Sequence, residues 1–286
     1  MKFGAHVSIA GGMPNAPANA AALGCEIFQF FSRSPRGGKA AAITKEIADN
    51  FQSECKKYKQ AASYIHAPYY INFASENNRI RFGSISIIRD ELERASALGV
   101  KAIMTHLGSA KDTTPEEAIK ITAQGIAKAL KGYKGSAKLL LELSAGSGLV
   151  IGATFEDMAA IINGAESSFT KATADKKNII GVCLDTAHVF ASGYDLRTKK
   201  AVDDTLKLFD KTIGLSRLGV IHANDSMVDL GEKKDRHEHI GQGKIGLAGF
   251  KALVNHPKLK NIDMIVETPT PEGMKKDIAL FKKIRG

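Results

Sequence analysis

The sequence has 286 residues, 44% of them hydrophobic, and a formal net charge of +10. This composition is typical of a globular enzyme, and no apolar run approaches the ~18 residues that a transmembrane helix needs. The first residues show no signal peptide, and three cysteines without a C-x-x-C pair predict a reducing, cytoplasmic location without a disulfide framework. The positive charge favours a polyanionic partner, with solvated surface lysines as the alternative explanation.

Short apolar runs alternate with helical segments along the whole chain. Strands are predicted at residues 2–7, 26–31, 62–66, 100–105, 138–143, 179–184, 218–222 and 264–267. Helices are predicted at residues 14–23, 44–58, 79–98, 114–131, 154–162, 198–213, 247–255 and 271–283. Eight such units without a break in composition predict an α/β fold, a single (β/α)₈ TIM barrel formed by one domain of residues 1–286.

A doubly wound open sheet is the alternative architecture, because it needs the same alternation of strands and helices. Its first strand-to-helix turn usually carries a G-x-G-x-x-G fingerprint. Here Gly11-Gly12 stands alone at that position, so the barrel is preferred.

Potential metal ligands follow the predicted strands at the ends where a barrel carries its chemistry. Six of the eight strands end in a histidine or a carboxylate, a histidine follows three residues after the end of the sixth, and the loop after the seventh adds two more. The candidates are His66, His106, Glu142, Asp185, His188, His222, Asp235, His237 and Glu267. Any one of them has a structural explanation, as a helix cap or a core histidine. Their joint position at one rim favours a metal centre.

Nine candidates exceed the three or four ligands of one tetrahedral zinc, so two or three ions with bridging carboxylates are expected. Imidazoles and carboxylates without cysteine favour Zn²⁺, with Mn²⁺ or Fe²⁺ as alternatives. If the strand stops at Asp185 and the chain turns at Thr186-Ala187, Asp185 and His188 can both aim at one spot, whereas His239 is expected to be peripheral. Clustered divalent ions suit phosphate ester hydrolysis, and the basic surface favours a nucleic acid phosphodiester.

Several motifs together resemble one known family over essentially the whole chain. They are Gly4-Ala5-His6-Val7-Ser8, Cys183-Leu184-Asp185-Thr186-Ala187-His188, Gly193-Tyr194-Asp195-Leu196-Arg197, His222-Ala223-Asn224-Asp225-Ser226, Asp235-Arg236-His237 and Val266-Glu267-Thr268. The sequence resembles endonuclease IV (deoxyribonuclease IV), of AP endonuclease family 2, in the xylose-isomerase-like TIM barrel superfamily. The resemblance implies a zinc-dependent apurinic/apyrimidinic endonuclease of DNA base excision repair that acts on double-stranded DNA, with no membrane partner, as a monomer.

The implied reaction is hydrolysis on the 5′ side of an abasic site, leaving a 3′-hydroxyl and a 5′-deoxyribose phosphate, together with removal of 3′ blocking groups. The resemblance also implies three zinc ions per chain, with Mn²⁺ possible at one site. The first ion would bind His66, His106 and Glu142. The second would bind Glu142 as a bridge, together with Asp185, His222 and Glu267. The third would bind His188, Asp235 and His237. The carboxylates Glu142, Asp185 and Glu267 are the expected catalytic residues.

The sequence departs from the family in its DNA-reading loops. Arg36 matches the family, but Gly37 and Gly38 follow where bulky residues usually enter the base stack. Tyr69 and Tyr70 stand where the family places a tyrosine and an apolar residue. We hypothesise that these tyrosines supply part of the missing stacking, with simple packing of the loop as the alternative.

Two further positions are relevant to the resemblance to this family. Leu143 replaces a common asparagine after the bridging glutamate, while Arg236 is a DNA-binding candidate.

Two other functions are compatible with parts of this pattern. A sugar isomerase or epimerase on the same barrel would use one divalent ion, and would not need the additional histidines. A non-catalytic nucleic-acid-binding barrel would account for the charge, but not for nine candidate ligands at one rim.

Overall fold

The computed structural model describes residues 1–169 and 178–285. The predicted domain of residues 1–286 also includes residues 170–177 and 286, which lie outside the described part. In chain order the strands are β1 (Phe3–His6), β2 (Ile27–Phe30), β3 (Ser63–His66), β4 (Ala102–Thr105), β5 (Lys138–Glu142), β6 (Ile180–Asp185), β7 (Leu218–His222), β8 (Asp225–Ser226), β9 (His237–Glu238) and β10 (Asp263–Val266).

Eight of these strands form a closed barrel in the order β1-β10-β7-β6-β5-β4-β3-β2, and β8 pairs with β9 in a separate antiparallel ribbon. All barrel pairs are parallel, and closure is made by β1, which pairs with both β2 and β10. The predicted (β/α)₈ barrel is therefore confirmed, and the open doubly wound sheet is excluded.

The α-helices lie between successive strands and pack around the barrel. They are α1 (Ala16–Ala22), α2 (Lys45–Lys57), α3 (Asn78–Leu98), α4 (Pro115–Leu130), α5 (Phe155–Glu166), α6 (Thr186–Ala191), α7 (Lys199–Thr212), α8 (Gly246–Val254) and α9 (Pro271–Arg285). Threonine caps begin several of them: Thr44 accepts from Ile47 N, and Thr114 accepts from Glu117 N. In the described part of the chain, no helix is sufficiently long and apolar to span a membrane.

Two elements differ from the sequence-based prediction. The segment after β6, expected to be a turn, is the helix α6, and the short ribbon of β8 and β9 was not predicted at all. Two-residue strands are too short to show an alternating pattern, so their pairing depends on contacts that the local sequence does not reveal.

An apolar layer fills the barrel interior beneath the strand ends. It consists of Ile27, Tyr64, Ala102, Met104, Leu140, Cys183, Val220 and Ile265. Because side chains alternate between the two faces of a strand, the residue two positions later also points inward. On seven strands that next inward residue is polar: Gln29, His66, His106, Glu142, Asp185, His222 and Glu267. The fold thus stacks one polar layer directly on an apolar plug.

A buried ionic network ties the loop after β2 to helix α3. Glu91 is fully buried, and both the Arg33 guanidinium and the Ser32 hydroxyl donate to its carboxylate. Arg94 donates to Ser32 Oγ at 2.8 Å and to the carbonyl oxygen of Ala41 at 2.6 Å. These contacts fix both ends of the loop that contains Arg36.

We expect Glu91→Ala to lower the free energy of unfolding by roughly 3–5 kcal/mol, since it removes the buried carboxylate that Arg33 and Arg94 share. Urea denaturation measures this change. The matched control is Glu93→Ala on the same helix, because Glu93 forms an exposed pair with Arg89 whose loss costs at most about 1 kcal/mol. Equal destabilisation by the two substitutions would contradict this account of the network.

Candidate metal centre

All nine predicted ligands lie at the C-terminal rim of the barrel or in the loops above it. His66, Glu142, Asp185 and His222 are the last residues of their strands, and His106 and Glu267 directly follow theirs. His188 lies in α6, Asp235 in the loop before β9, and His237 in β9. The structure therefore brings together side chains that are up to 201 residues apart in the sequence, from His66 to Glu267.

The first group of donors surrounds one oxygen of Glu142. His66 Nε2 lies 3.0 Å from Glu142 Oε2, and His106 Nδ1 lies 3.7 Å from the same atom. The donor atoms of these three residues lie within 4.8 Å of one another. These three residues are the ones that the family resemblance implies for the first zinc ion.

The second group surrounds His222. Its Nδ1 lies 3.1 Å from Glu142 Oε1, 3.2 Å from Glu267 Oε2 and 3.9 Å from Asp185 Oδ2. All four residues offer donor atoms within 4.8 Å of one another. Since Glu142 presents one oxygen to each of the two groups, its carboxylate has the geometry of a bridge.

The third group lies nearer the surface. His188 Nε2 and His237 Nε2 lie 3.3 Å and 3.2 Å from Asp235 Oδ1. His237 Nε2 also lies 3.5 Å from Asp185 Oδ2, so Asp185 contacts this group as well as the second. The family resemblance implies Asp185 as a ligand of the second ion alone.

The third group fits a metal ion by two independent observations. Both Nε2 atoms are buried and form no well-aligned hydrogen bond in the described structure, although each lies within 3.3 Å of Asp235 Oδ1. In addition, zinc held tetrahedrally at about 2.0–2.1 Å separates its donor atoms by about 3.4 Å, which matches the observed spacing. Buried donors at this spacing are what a metal site requires.

The electrostatics of the cluster also favour a bound cation. Burial alone would lower the pKa of His188 and His237, yet Asp185 and Asp235 raise these values to about 10 and about 9. Burial would raise the pKa of Glu142, but His106 and His222 hold it well below its usual range. Glu142 therefore keeps its negative charge at neutral pH and attracts a proton or a metal ion.

Cys183 forms an alternative donor group with Glu142 and His222. Burial raises the pKa of the Cys183 thiol to about 12, so the thiol keeps its proton at neutral pH. Cys183 belongs to the apolar layer below the strand ends, whereas Asp185 and Glu267 join Glu142 and His222 in a group of four donors, so we assign the second group to those four residues.

The D-x-x-H stretch after β6 combines a structural and a ligand role. Asp185 Oδ1 accepts a hydrogen bond from His188 N at 2.9 Å and so caps α6. Its other oxygen, Oδ2, faces His222 and His237. The cap places His188 in the first turn of the helix, with its Nε2 atom in the third group.

Three residues of the site were missed as candidates. His6 and Gln29 supply the inward positions of β1 and β2, the two strands to which no ligand had been assigned. Asn224 donates to Asp185 Oδ2 at 2.7 Å and accepts from Glu267 N at 2.7 Å, which holds the Asp185 carboxylate and the Glu267 backbone in place. For Gln29, the signal available in the sequence was a glutamine within the apolar run of β2.

The predicted DNA-reading residues lie around the mouth of the site. The Tyr69 side chain is 63% exposed, with its ring 6.0 Å from that of His66 and 6.5 Å from that of His106. Tyr70 is 38% exposed and lies beside Gly37, where an added Cβ would be 3.8 Å from the tyrosine ring. Gly37 and Gly38 have φ of 102° and 100°, so this loop conformation favours glycine over a bulky residue.

The remaining predicted positions contribute no side chain to the three donor groups. Arg36 and Arg236 are exposed, and Leu143 is buried. His239 lies outside the three groups, where its Nδ1 pairs with Asp277 Oδ2 at 2.9 Å. Asp277 also accepts from Ile240 N, so this histidine helps to anchor the loop after β9.

Comparison with known proteins gives a consistent result. Residues 17–284 match the model of a family described as xylose isomerase-like TIM barrel. The chain is 39% identical over 282 residues to a protein named "Probable endonuclease 4" from Chlorobium phaeobacteroides (strain BS1), covering 98% of this chain and 96% of that protein. The crystal structure of endonuclease IV from Thermus thermophilus has a TM-score of 0.85 at 33% identity, covering 99% of this chain and 98% of that one.

A D-tagatose 3-epimerase-like protein is similar in fold alone, with a TM-score of 0.75 at 19% identity, covering 99% of this chain and 97% of that one. Fold and site define the class as a TIM barrel with candidate metal ligands at its C-terminal rim. Within that class, the chain belongs to the endonuclease IV family of xylose isomerase-like TIM barrels. The family resemblance indicated by the sequence motifs is thereby confirmed.

We expect zinc to raise the melting temperature of the metal-free protein. A site filled at one hundred times its Kd contributes about 2.7 kcal/mol, because the ion binds the folded chain only. His188→Asn should lose the share of this rise that comes from the third group. Differential scanning calorimetry with and without zinc measures both effects.

The matched control is His256→Asn, since His256 pairs with Asp203 away from the three groups. It should keep the full zinc-dependent rise. An identical rise in His188→Asn and the unchanged protein would contradict the assignment of the third group.

Proposed function

We propose that the protein is a zinc-dependent apurinic/apyrimidinic endonuclease of DNA base excision repair. It would hydrolyse the phosphodiester on the 5′ side of an abasic site, leaving a 3′-hydroxyl and a 5′-deoxyribose phosphate. The observation that carries the proposal is the set of three adjacent donor groups, joined by Glu142 and Asp185 at the mouth of one cleft. The endonuclease names of similar proteins agree with it.

The chemistry of divalent ions fits this reaction. When bound, such ions polarise a phosphoryl group, activate water and neutralise a leaving oxygen. His66 and His106 would hold one ion with Glu142, and Asp185, His222 and Glu267 would hold a second across the same carboxylate. His188, Asp235 and His237 would hold the third.

The chain itself orients the substrate and shapes its access. A cleft of about 320 Å³ lies over the donor groups, and a neighbouring cavity of about 470 Å³ is lined by Tyr70, His188 and Asp235. Tyr69 lines both spaces. A phosphodiester in the cleft would therefore place its adjoining sugar or base within reach of both tyrosines, while the net charge of +10 attracts the DNA backbone.

Several finer features belong to the same proposal. Removal of 3′ blocking groups would use the same phosphodiester chemistry in the same cleft. A monomer would suffice, because all nine donor residues come from one chain. The three cysteines are free, which agrees with a reducing cytoplasm.

The sugar isomerase or epimerase alternative is less well supported. Such an enzyme needs one divalent ion, and the second donor group would provide it. It gives no role to the two imidazole nitrogens of the third group that form no well-aligned hydrogen bond. A measured content of one ion per chain would favour this alternative.

Nicking of a duplex with one abasic analogue tests the proposed function. Glu142→Gln and Glu267→Gln should each lower kcat on the order of 10³-fold or more, because several kcal/mol of charge stabilisation are lost. Chelation of the metal should abolish nicking, while binding of the duplex persists.

The control for these variants is Glu272→Gln, an exposed residue five positions beyond Glu267, which should nick normally. Near-native nicking by either site variant would exclude the mechanism. Chelator-insensitive binding without any cleavage by the unchanged protein would instead support a non-catalytic nucleic-acid-binding barrel.

The tyrosine hypothesis makes a separate prediction. Stacking on one base contributes roughly 1–3 kcal/mol, so Tyr69→Ala or Tyr70→Ala should lower kcat/KM by about 5- to 150-fold. The variants Tyr69→Phe and Tyr70→Phe keep the ring and should remain near the unchanged protein. If both alanine variants cleave abasic duplex with unchanged kcat/KM, the tyrosines only pack the loop.

A further inference from the structure

We propose that Gln29 is a positioning residue that fixes the His222 ring so that Nδ1 is its metal-binding atom. This inference rests on the zinc centre of the proposed function and adds a role for a buried side chain behind it. Gln29 lies in β2, is fully buried, and occupies the inward position of its strand in the polar layer.

The amide of Gln29 uses both of its ends. Its Nε2 lies 2.6 Å from Glu267 Oε1 and 2.9 Å from His6 Nδ1, and its Oε1 lies 2.8 Å from His222 Nε2. One side chain thus contacts two members of the second donor group and one further imidazole.

The direction of these hydrogen bonds follows from Glu267. An ionised carboxylate can only accept, so the NH₂ end of Gln29 must face Glu267 and the carbonyl end must face His222. A carbonyl oxygen also only accepts, so His222 Nε2 must carry a hydrogen. In a neutral imidazole the other nitrogen, Nδ1, then has a free lone pair.

The Nδ1 lone pair faces the carboxylates of the second donor group. His222 Nδ1 lies 3.1 Å from Glu142 Oε1 and 3.2 Å from Glu267 Oε2. Gln29 therefore sets the tautomer that lets the imidazole share a metal ion with these carboxylates, as outer-sphere partners of metal-bound histidines generally do.

His222 differs in this respect from three other rings of the site. The backbone carbonyls of Ala67, Leu143 and Glu267 lie 2.6, 2.9 and 3.4 Å from Nδ1 of His66, His188 and His237. A backbone partner cannot be removed by substitution. Gln29 is a side chain, so the orienting contact of His222 can be removed while its ring stays in place.

The test uses Gln29→Leu, which keeps a similar volume and removes every donor and acceptor. We expect zinc at the group formed by Glu142, Asp185, His222 and Glu267 to bind about 10- to 100-fold more weakly. Titration of metal-free protein with zinc against a competing chelator measures this loss. Affinity at the third group should stay unchanged, since neither His188 nor His237 contacts Gln29.

Two further variants make the result specific. Gln29→Met, an unbranched side chain of similar length, should show the same weakening and replaces Gln29→Leu if that variant does not fold. Gln60→Leu is the control, because Gln60 precedes β3 at the opposite end of the barrel and bonds to the carbonyls of Cys25 and Tyr58. It should bind zinc normally.

NMR of the zinc-loaded protein with ¹⁵N-labelled histidine provides a second measurement. The His222 ring should show a hydrogen on Nε2 that exchanges slowly, and Gln29→Leu should speed this exchange. Unchanged zinc affinity together with an unchanged Nε2–H signal in the variant would overturn the inference. Neither measurement uses DNA, so a failure of the unchanged protein to nick would overturn the proposed function alone.

Discussion

The structure depends on keeping several carboxylates close together in a buried site. Glu142 and Asp185 are buried at the end of the barrel, and Glu267 lies beside them. Buried negative charges are costly unless cations and hydrogen bonds accompany them, and here imidazoles surround the carboxylates. Hydrogen-bond partners outside the donor groups hold one ring nitrogen of His66, His188, His222 and His237. The other nitrogen of each ring faces the carboxylates. The barrel thereby forms a fixed set of donors around positions where positive charge is stabilised.

The sequence predicted the barrel and the position of its chemistry because both follow from local patterns. Eight apolar runs alternate with amphipathic segments, and parallel strands of a closed barrel end at one rim. A polar residue at the end of an apolar run is visible in the sequence, which is why His66, Glu142 and His222 could be named. Their separation into donor groups came only from the family resemblance, because it depends on distances across the barrel.

The features that the sequence did not reveal depend on contacts between distant segments. Gln29 lies within an apolar run, and its importance appears only when β2 stands beside β1 and its side chain meets Glu267 and His222. The helix α6 was expected to be a turn, because capping and metal binding were treated as alternatives for Asp185, whereas its two oxygens serve one role each. Gln29 follows Ile27, a residue of the apolar layer, by two positions. This spacing would have identified Gln29 as a member of the polar layer that lies above the apolar one.

The central claim is that the polar layer and the loops above it form a centre for several zinc ions. An anomalous difference map from crystals grown with zinc, recorded on both sides of the zinc absorption edge, tests it most directly. The account predicts three peaks per chain: one beside His66 and His106, one beside His222 and Glu267, and one between His188 and His237. A single peak at the second group, or none at the rim, would contradict it.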